Sequence, residues 1–193
     1  MTYIAFVRHG MTDWNITRRA QGQSDIPLND EGRQQANALA TRLQKEKWDL
    51  IFSSDLSRAK ETADIVANKM KLNVQTDQRL REMHKGETEG TTLEERISRW
   101  GSDWESLPLG IENDESVIYR GASFVTEIAE TYKGKRILVV SHGALIGLTI
   151  KKLIPQTNIN EHFSNTSITI IKFNGMDWEC ELFNCANHVN ETG

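Results

Sequence analysis

Arg8-His9-Gly10 and Val140-Ser141-His142-Gly143 each set an imidazole directly behind a short apolar run, residues 3–7 in one case and 137–140 in the other. Such runs read as buried strands of a parallel sheet. In open α/β sheets, ligands bind beyond the carboxyl ends of the strands. A third run, Leu50-Ile51-Phe52, leads into Ser53-Ser54-Asp55 and then Arg58. His9, His142, Arg8 and Arg58 thus converge on one pocket, and its natural ligand is an anion, phosphate first. A guanidinium fork holds two phosphoryl oxygens at once. Arg58 also falls in the first turn of a helix, where free N–H groups and the dipole favour an anion. Gly10 and Gly143 let the backbone approach a ligand or turn sharply.

One histidine alone is most often structural, but two in equivalent positions, each followed by glycine, favour function. Paired histidines could also hold a metal. That use would want a carboxylate or a third histidine at recognisable spacing, and the arginines would repel a cation. Phosphoryl transfer without a metal needs a nucleophile, charge neutralisation and an acid. No cysteine lies at a strand–loop–helix turn, and neither Gly-x-Ser-x-Gly nor the Gly-x-x-x-x-Gly-Lys-Ser/Thr loop occurs. Imidazole remains. Positive neighbours favour its neutral form, and attack on phosphorus would yield a phosphohistidine. For the leaving-group proton, Glu82 in Leu80-Arg81-Glu82 could reach over the pocket. Partly desolvated beside phosphate, it would have a raised pKa and act as acid, then as base toward water. Its local sequence does not distinguish it from a surface glutamate.

The elements that must position these groups alternate. After the first strand, Asn29 or Asp30 caps a helix with Ala36, Leu39, Ala40 and Leu43 on one stripe. The second strand is followed by a helix with Ala59, Ala63, Val66 and Met70 on one face. This βαβα order predicts a parallel sheet covered by helices on both faces. Residues 80–115 break the rhythm with four glycines, Pro108 and the trio Ile97, Trp100 and Trp104. They read as an insertion over the sheet containing a short helix, with packing by both tryptophans favoured over the alternative that one of them walls the pocket. A helix over 116–132 then leads to the strand 137–140 and a helix beginning at Ala144. Strands over 167–173 and 178–183 meet at Asn174-Gly175, a common hairpin pair. The tail from Asn184 reads as polar and frayed.

The length of 193 residues fits one domain, 1–193. A net charge of −4 argues against broad binding to nucleic acid or an anionic membrane. No apolar run approaches a membrane span and no signal peptide is evident, so the expected compartment is the cytoplasm. Cys180 and Cys185, an odd separation apart, would face opposite ways on one strand, and ordinary packing is expected of them.

Several strings in chain order resemble the histidine phosphatase superfamily, in its phosphoglycerate-mutase-like branch. They are Arg8-His9-Gly10-Met11-Thr12, Asn15, Gln21-Gly22, Pro27-Leu28 with Gly32-Arg33-Gln34-Gln35-Ala36, Ser53-Ser54-Asp55-Leu56-Ser57-Arg58-Ala59, Leu80-Arg81-Glu82 and Val140-Ser141-His142-Gly143. The resemblance implies a three-layer α/β/α sandwich on a mostly parallel six-stranded sheet. It implies His9 as the phosphorylated nucleophile, Arg8, Arg58 and His142 around the phosphate, and Glu82 as proton donor. Asn15 and the Gln21-Gly22 loop become substrate contacts, and no cofactor is expected.

The departures bear on specificity. Lys85 precedes Gly86 where an aromatic is usual, Thr88 precedes Glu89-Gly90, and Gly143-Ala144 replaces a double glycine. The family's mutases carry Glu-Arg, then His-Tyr-Gly, and further arginines; this chain has Glu82-Met83 and an acidic stretch, 112–115. A metal-independent phosphomonoesterase for small phosphorylated metabolites is therefore favoured over a phosphoglycerate mutase, with a non-catalytic phosphate-binding module a remote third reading. A monomer and a homodimer are both compatible with the sequence.

Overall fold

The computed structural model describes residues 1–157 and 162–190. In chain order its strands are β1 (Thr2–Arg8), β2 (Leu50–Ser53), β3 (Val74–Thr76), β4 (Arg136–Ser141), β5 (Ile168–Phe173) and β6 (Trp178–Cys185). Its helices are α1 (Asp13–Ile16), α2 (Asp30–Leu43), α3 (Ser57–Met70), α4 (Leu93–Trp100), α5 (Asp114–Thr131), α6 (Gly143–Leu153) and α7 (Asn187–Asn190). The six strands form one sheet in the order β3-β2-β4-β1-β5-β6. β3, β2, β4 and β1 run parallel, while β5 is antiparallel to both of its neighbours, β1 and β6.

Strand periodicity sorts the core into two layers. Ile4 and Phe6 of β1 face one side with Ile137 and Val139 of β4, where Phe124, Val125 and Ile128 of α5 and Leu145, Ile146 and Ile150 of α6 cover them. Ala5 and Val7 face the other side with Leu138 and Val140, under Leu39 and Leu43 of α2 and Ala59, Ala63 and Val66 of α3. Both faces of the central strands are buried, which is why their sequences are continuous apolar runs. The result is the three-layer α/β/α sandwich on a mostly parallel sheet. Asn29 rather than Asp30 caps α2, its side chain accepting from Gly32 N at 2.9 Å. Such a cap stabilises a helix by about 1 kcal/mol. The expected short helix of the insertion is α4, opened by a Thr92–Glu95 capping box.

Three elements go beyond the sequence reading. β3 is a three-residue edge strand, and α1 lies in the loop after His9. The tail is not frayed through residue 190: β6 extends to Cys185 and α7 packs on α2, with His188 3% exposed. Residues 191–193 lie outside the described residues. The hairpin turn spans 174–177 and is held by Asn174 Oδ1, which accepts from Met176 and Asp177 N–H at 2.8 Å. Cys180 and Cys185 are not joined in a disulfide. Among the described residues, no helix is long and apolar enough to cross a membrane.

Candidate active site

β1 ends at Arg8, and the chain continues alongside β4, with His9 N–H donating to the Ser141 carbonyl at 3.0 Å. His9 is 3% exposed. Its Nδ1 lies 2.7 Å from the Gly10 carbonyl, an acceptor only, so Nδ1 carries the proton and Nε2 holds the free lone pair. Gly10 is required here because a Cβ at that position would sit 2.6 Å from the Gly32 carbonyl oxygen at the start of α2. The Gly10 N–H is tied to Thr62 Oγ1 of α3 at 3.1 Å.

His142, at the junction of β4 and α6, is completely buried, with its ring centroid 5.2 Å from that of His9. Its Nε2 is 2.9 Å from Ser54 Oγ, and that oxygen also accepts from Leu56 N–H. The buried Ser54 hydroxyl hydrogen has no other acceptor among the described residues, so it goes to His142 Nε2. The His142 proton then sits on Nδ1, which is buried without a protein partner and free to donate to a ligand.

Arg8 and Arg58 bring the positive charge. Arg58 is buried to 0% exposure, an extreme for this residue type. It donates to the Gly22 and Ser24 carbonyls at 2.7 and 2.8 Å, which fixes the 21–24 loop beside the histidines. Burial lowers its pKa to about 10, with Glu82, Asp25 and Glu89 opposing the shift. It stays cationic. Arg8 donates to the Phe163 carbonyl and lies 3.2 Å from His162 Nε2. The Nε atoms of both arginines are buried without a protein partner.

Burial, then the charges of Arg58 and Arg8, hold His9 well below its ordinary value of 6.5; burial and the same arginines do so for His142. Both rings are therefore neutral at physiological pH. In the unfolded chain each returns to about 6.5 and takes up a proton as pH falls, while the native rings do not. Stability is thus expected to be fully present above pH ~6.5 and to decline below it, by up to ~1.4 kcal/mol per pH unit per ring. Urea midpoints across this range check it: His142→Ala should show a shallower decline, and an unchanged slope would contradict a buried neutral ring.

Glu82 reaches the site from the start of the insertion. Oε1 accepts from Met83 and Leu145 N–H at 2.8 and 3.2 Å, and Oε2 accepts from Ala144 N–H at 3.3 Å. The carboxylate is thereby seated on the first turn of α6, where the helix leaves amides unpaired. Arg120 of α5 holds the backbone from beneath, donating to the Arg79, Arg81 and Glu82 carbonyls. Glu112 pairs with Arg120 at 2.9 and 3.0 Å. Burial would raise the Glu112 pKa, but the Arg120 bonds, His84 N–H and Ser116 take it down to about 2.

Arg8, His9, Asn15, Gln21, Gly22, Arg58 and Glu82 line one cleft; His142 is not among its lining residues, and its ring centroid lies 5.2 Å from that of His9. The Asn15 carbonyl accepts from Thr12 N–H and Oγ1 in the α1 cap, so its NH₂ end is the one available to a ligand. The 21–24 loop is clamped by Glu89, which accepts from Gln23 N–H, Ser24 Oγ and Lys85 N–H. Gly22 has φ +51°, and a Cβ there would lie 2.1 Å from Glu89 Oε1. Lys85 lines the cleft, whereas Trp104 is buried under Arg96 at 4.8 Å, consistent with packing. Trp14, Arg18, Arg19, Arg96 and His162 also line it and were missed in the sequence; their only signal was the clustering of Arg18 and Arg19 after Asn15.

This arrangement can grip a tetrahedral oxyanion between two arginines and His142 Nδ1–H, with a neutral imidazole placed to attack it and a carboxyl nearby to exchange a proton. Among the described residues, no group of three or more His, Cys, Asp and Glu side chains is placed to hold a metal ion.

The model of the histidine phosphatase superfamily, branch 1, matches residues 4–186. Phosphoglycerate mutase-like protein 4 of Arabidopsis thaliana is 38% identical, over 98% of this chain and 88% of its own length. The metal-independent phosphoserine phosphatase of the same plant is 30% identical, over 100% of this chain and 85% of its own. A mycobacterial glucosyl-3-phosphoglycerate phosphatase, solved as a complex with VO3, superposes with a TM-score of 0.86 at 31% identity, covering 95% of this chain and 98% of the other.

Proposed function

Because this chain belongs to the histidine phosphatase superfamily and is a phosphatase of that type, we propose that His9 takes the phosphoryl group of a small phosphorylated metabolite. The His9 Nε2 lone pair attacks phosphorus and the bond to the ester oxygen breaks. The Glu82 carboxyl gives that oxygen its proton. Glu82, now a carboxylate, takes a proton from water as the water attacks phosphorus and the Nε2–P bond breaks, releasing inorganic phosphate. Arg8, Arg58 and His142 Nδ1–H neutralise the phosphoryl oxygens through both steps, and Asn15 with the Gln21-Gly22 loop holds the substrate. Residues 1–193 act as one such domain, with 80–115 folded over the strand ends.

The observation that carries this reading is the His9 tautomer. A proton donated from Nδ1 to Gly10 at 2.7 Å leaves Nε2 nucleophilic in a ring that burial and two arginines keep neutral. The arginines supply the charge that a metal brings elsewhere. Phosphate release from a panel of phosphomonoesters is expected to survive exhaustive EDTA treatment. Loss on chelation, restored by zinc or magnesium, would overturn metal independence. Interconversion of 2- and 3-phosphoglycerate with 2,3-bisphosphoglycerate present, and no phosphate release, would make it a mutase.

A further inference from the structure

Glu82 has to hold its place in two protonation states, as acid in the first step and as carboxylate in the second. The amides that seat its side chain favour only the carboxylate. Hydrogen bonds from N–H groups are strong to the charged form and weaken when it takes up a proton. Two of these bonds are also long, 3.2 Å from Leu145 N–H and 3.3 Å from Ala144 N–H. The residue therefore needs a hold that is indifferent to its proton.

The main chain of residues 79–82 has one. Its four consecutive carbonyls are all taken by side chains from other elements. Ser141 Oγ, at the end of β4, donates to the Leu80 carbonyl at 2.7 Å. Arg120 of α5 takes the other three, those of Arg79, Arg81 and Glu82. The remaining Arg120 N–H groups go to the two Glu112 oxygens at 2.9 and 3.0 Å, so every donor of the guanidinium has an acceptor. Glu112 in turn accepts from His84 N–H at 3.1 Å, which carries the grip past Glu82 into the insertion. Gln23 Nε2 adds a second bond to the Glu82 carbonyl at 3.1 Å.

This clamp does not open as the acid turns over. It grips carbonyls, not the Glu82 carboxyl. Its anionic half stays charged through the working range, because against burial the bonds from Arg120, His84 N–H and Ser116 hold the Glu112 pKa at about 2. Arg120 is not among the residues lining the cleft, so it acts on substrate only through Glu82.

We propose that Arg120, oriented by Glu112, is the positioning residue of the proton donor. It keeps the Glu82 main chain fixed while the carboxyl gives up and regains its proton. This rests on the phosphatase reading above, in which Glu82 is the acid.

The test is the rate of His9 phosphorylation by an alkyl phosphate of the panel above, relative to that by p-nitrophenyl phosphate, both read by rapid quench. Arg120→Lys keeps the charge but replaces the planar fork with a single ammonium. It is expected to slow the alkyl phosphate by about 10–100-fold, the scale of a misplaced acid, and p-nitrophenyl phosphate by less than about threefold, because that leaving group needs little protonation. Both substrates are read on one preparation, so an unfolded fraction cancels in the ratio. Glu112→Gln, a second route to the same clamp, should lower the ratio in the same direction. In the Glu82→Gln background, Arg120→Lys should change the ratio no further, since the two residues act as one unit. A ratio unmoved by both substitutions, with the two substrates slowed alike, overturns the proposal alone, as does a ratio that falls again in the Glu82→Gln background. A ratio that Glu82→Gln itself leaves unmoved overturns the acid reading with it.

Discussion

His9→Ala is expected to lower turnover by on the order of 10⁴–10⁶, the scale seen when a hydrolase loses the nucleophile of its covalent intermediate. His162, which also lines the cleft, does not replace it, because its Nε2 faces the Arg8 guanidinium at 3.2 Å, a group that only donates. The His142 ring lies 5.2 Å from that of His9, with Nε2 engaged by Ser54 and Nδ1 carrying a proton, so it has no lone pair free to attack. Rapid quench with labelled substrate should trap acid-labile, base-stable phosphate on the unmutated protein and none on His9→Ala. The variant should still bind inorganic phosphate, because Arg8, Arg58 and His142 remain, and that binding also reports a folded site. Label persisting on His9→Ala would remove the nucleophile from the mechanism.

The parts of this site visible in the sequence are those placed by the end of a strand. Arg8, His9 and His142 follow buried strands, and Arg58 opens the helix after another, so strand position and glycine punctuation were enough to bring them together. Glu82 was different. Its place at the start of the insertion made it a candidate, but its local sequence did not set it apart from a surface glutamate, because what does so is tertiary: the amides of Ala144 and Leu145, more than sixty residues on, seat its carboxylate. Arg120 and Glu112 were missed for the same reason. An arginine on a half-exposed helix face gives no sign that it will hold three carbonyls 38 to 41 residues away.

The fold divides along a similar line. α2 and α3 declare themselves through apolar stripes that reappear as buried core. β3 could not, because two of its three residues face solvent and no alternation can be read from so short a span. α1 has no buried residue, and its only mark is the Thr12–Asn15 cap, with asparagine in place of the usual glutamate. The tail reads as polar because its order comes from contacts, His188 lying against Thr166 and Arg42. Local composition sees none of this.

Glu82→Gln is expected to slow phosphorylation of His9 by alkyl phosphates by 10²–10⁴, roughly the span that general acid catalysis supplies. The substitution is structurally mild. The amide carbonyl can keep the bonds from Met83 and Leu145, and Arg120 holds the backbone rather than the side chain. Besides the 3.3 Å bond from Ala144 N–H, which an amide NH₂ cannot accept, what is lost is the proton. An alkoxide leaving group needs it, whereas p-nitrophenolate departs nearly unaided, so phosphorylation by p-nitrophenyl phosphate should fall much less. The burst of leaving group, not steady-state turnover, must be compared, because Glu82 also serves as base toward water in the second step. With p-nitrophenyl phosphate the variant should show an intact burst followed by a slowed steady state, as phosphohistidine accumulates. Equal losses in the burst for both substrate classes would reduce Glu82 to a residue that positions substrate. The proton would then have to come from another group.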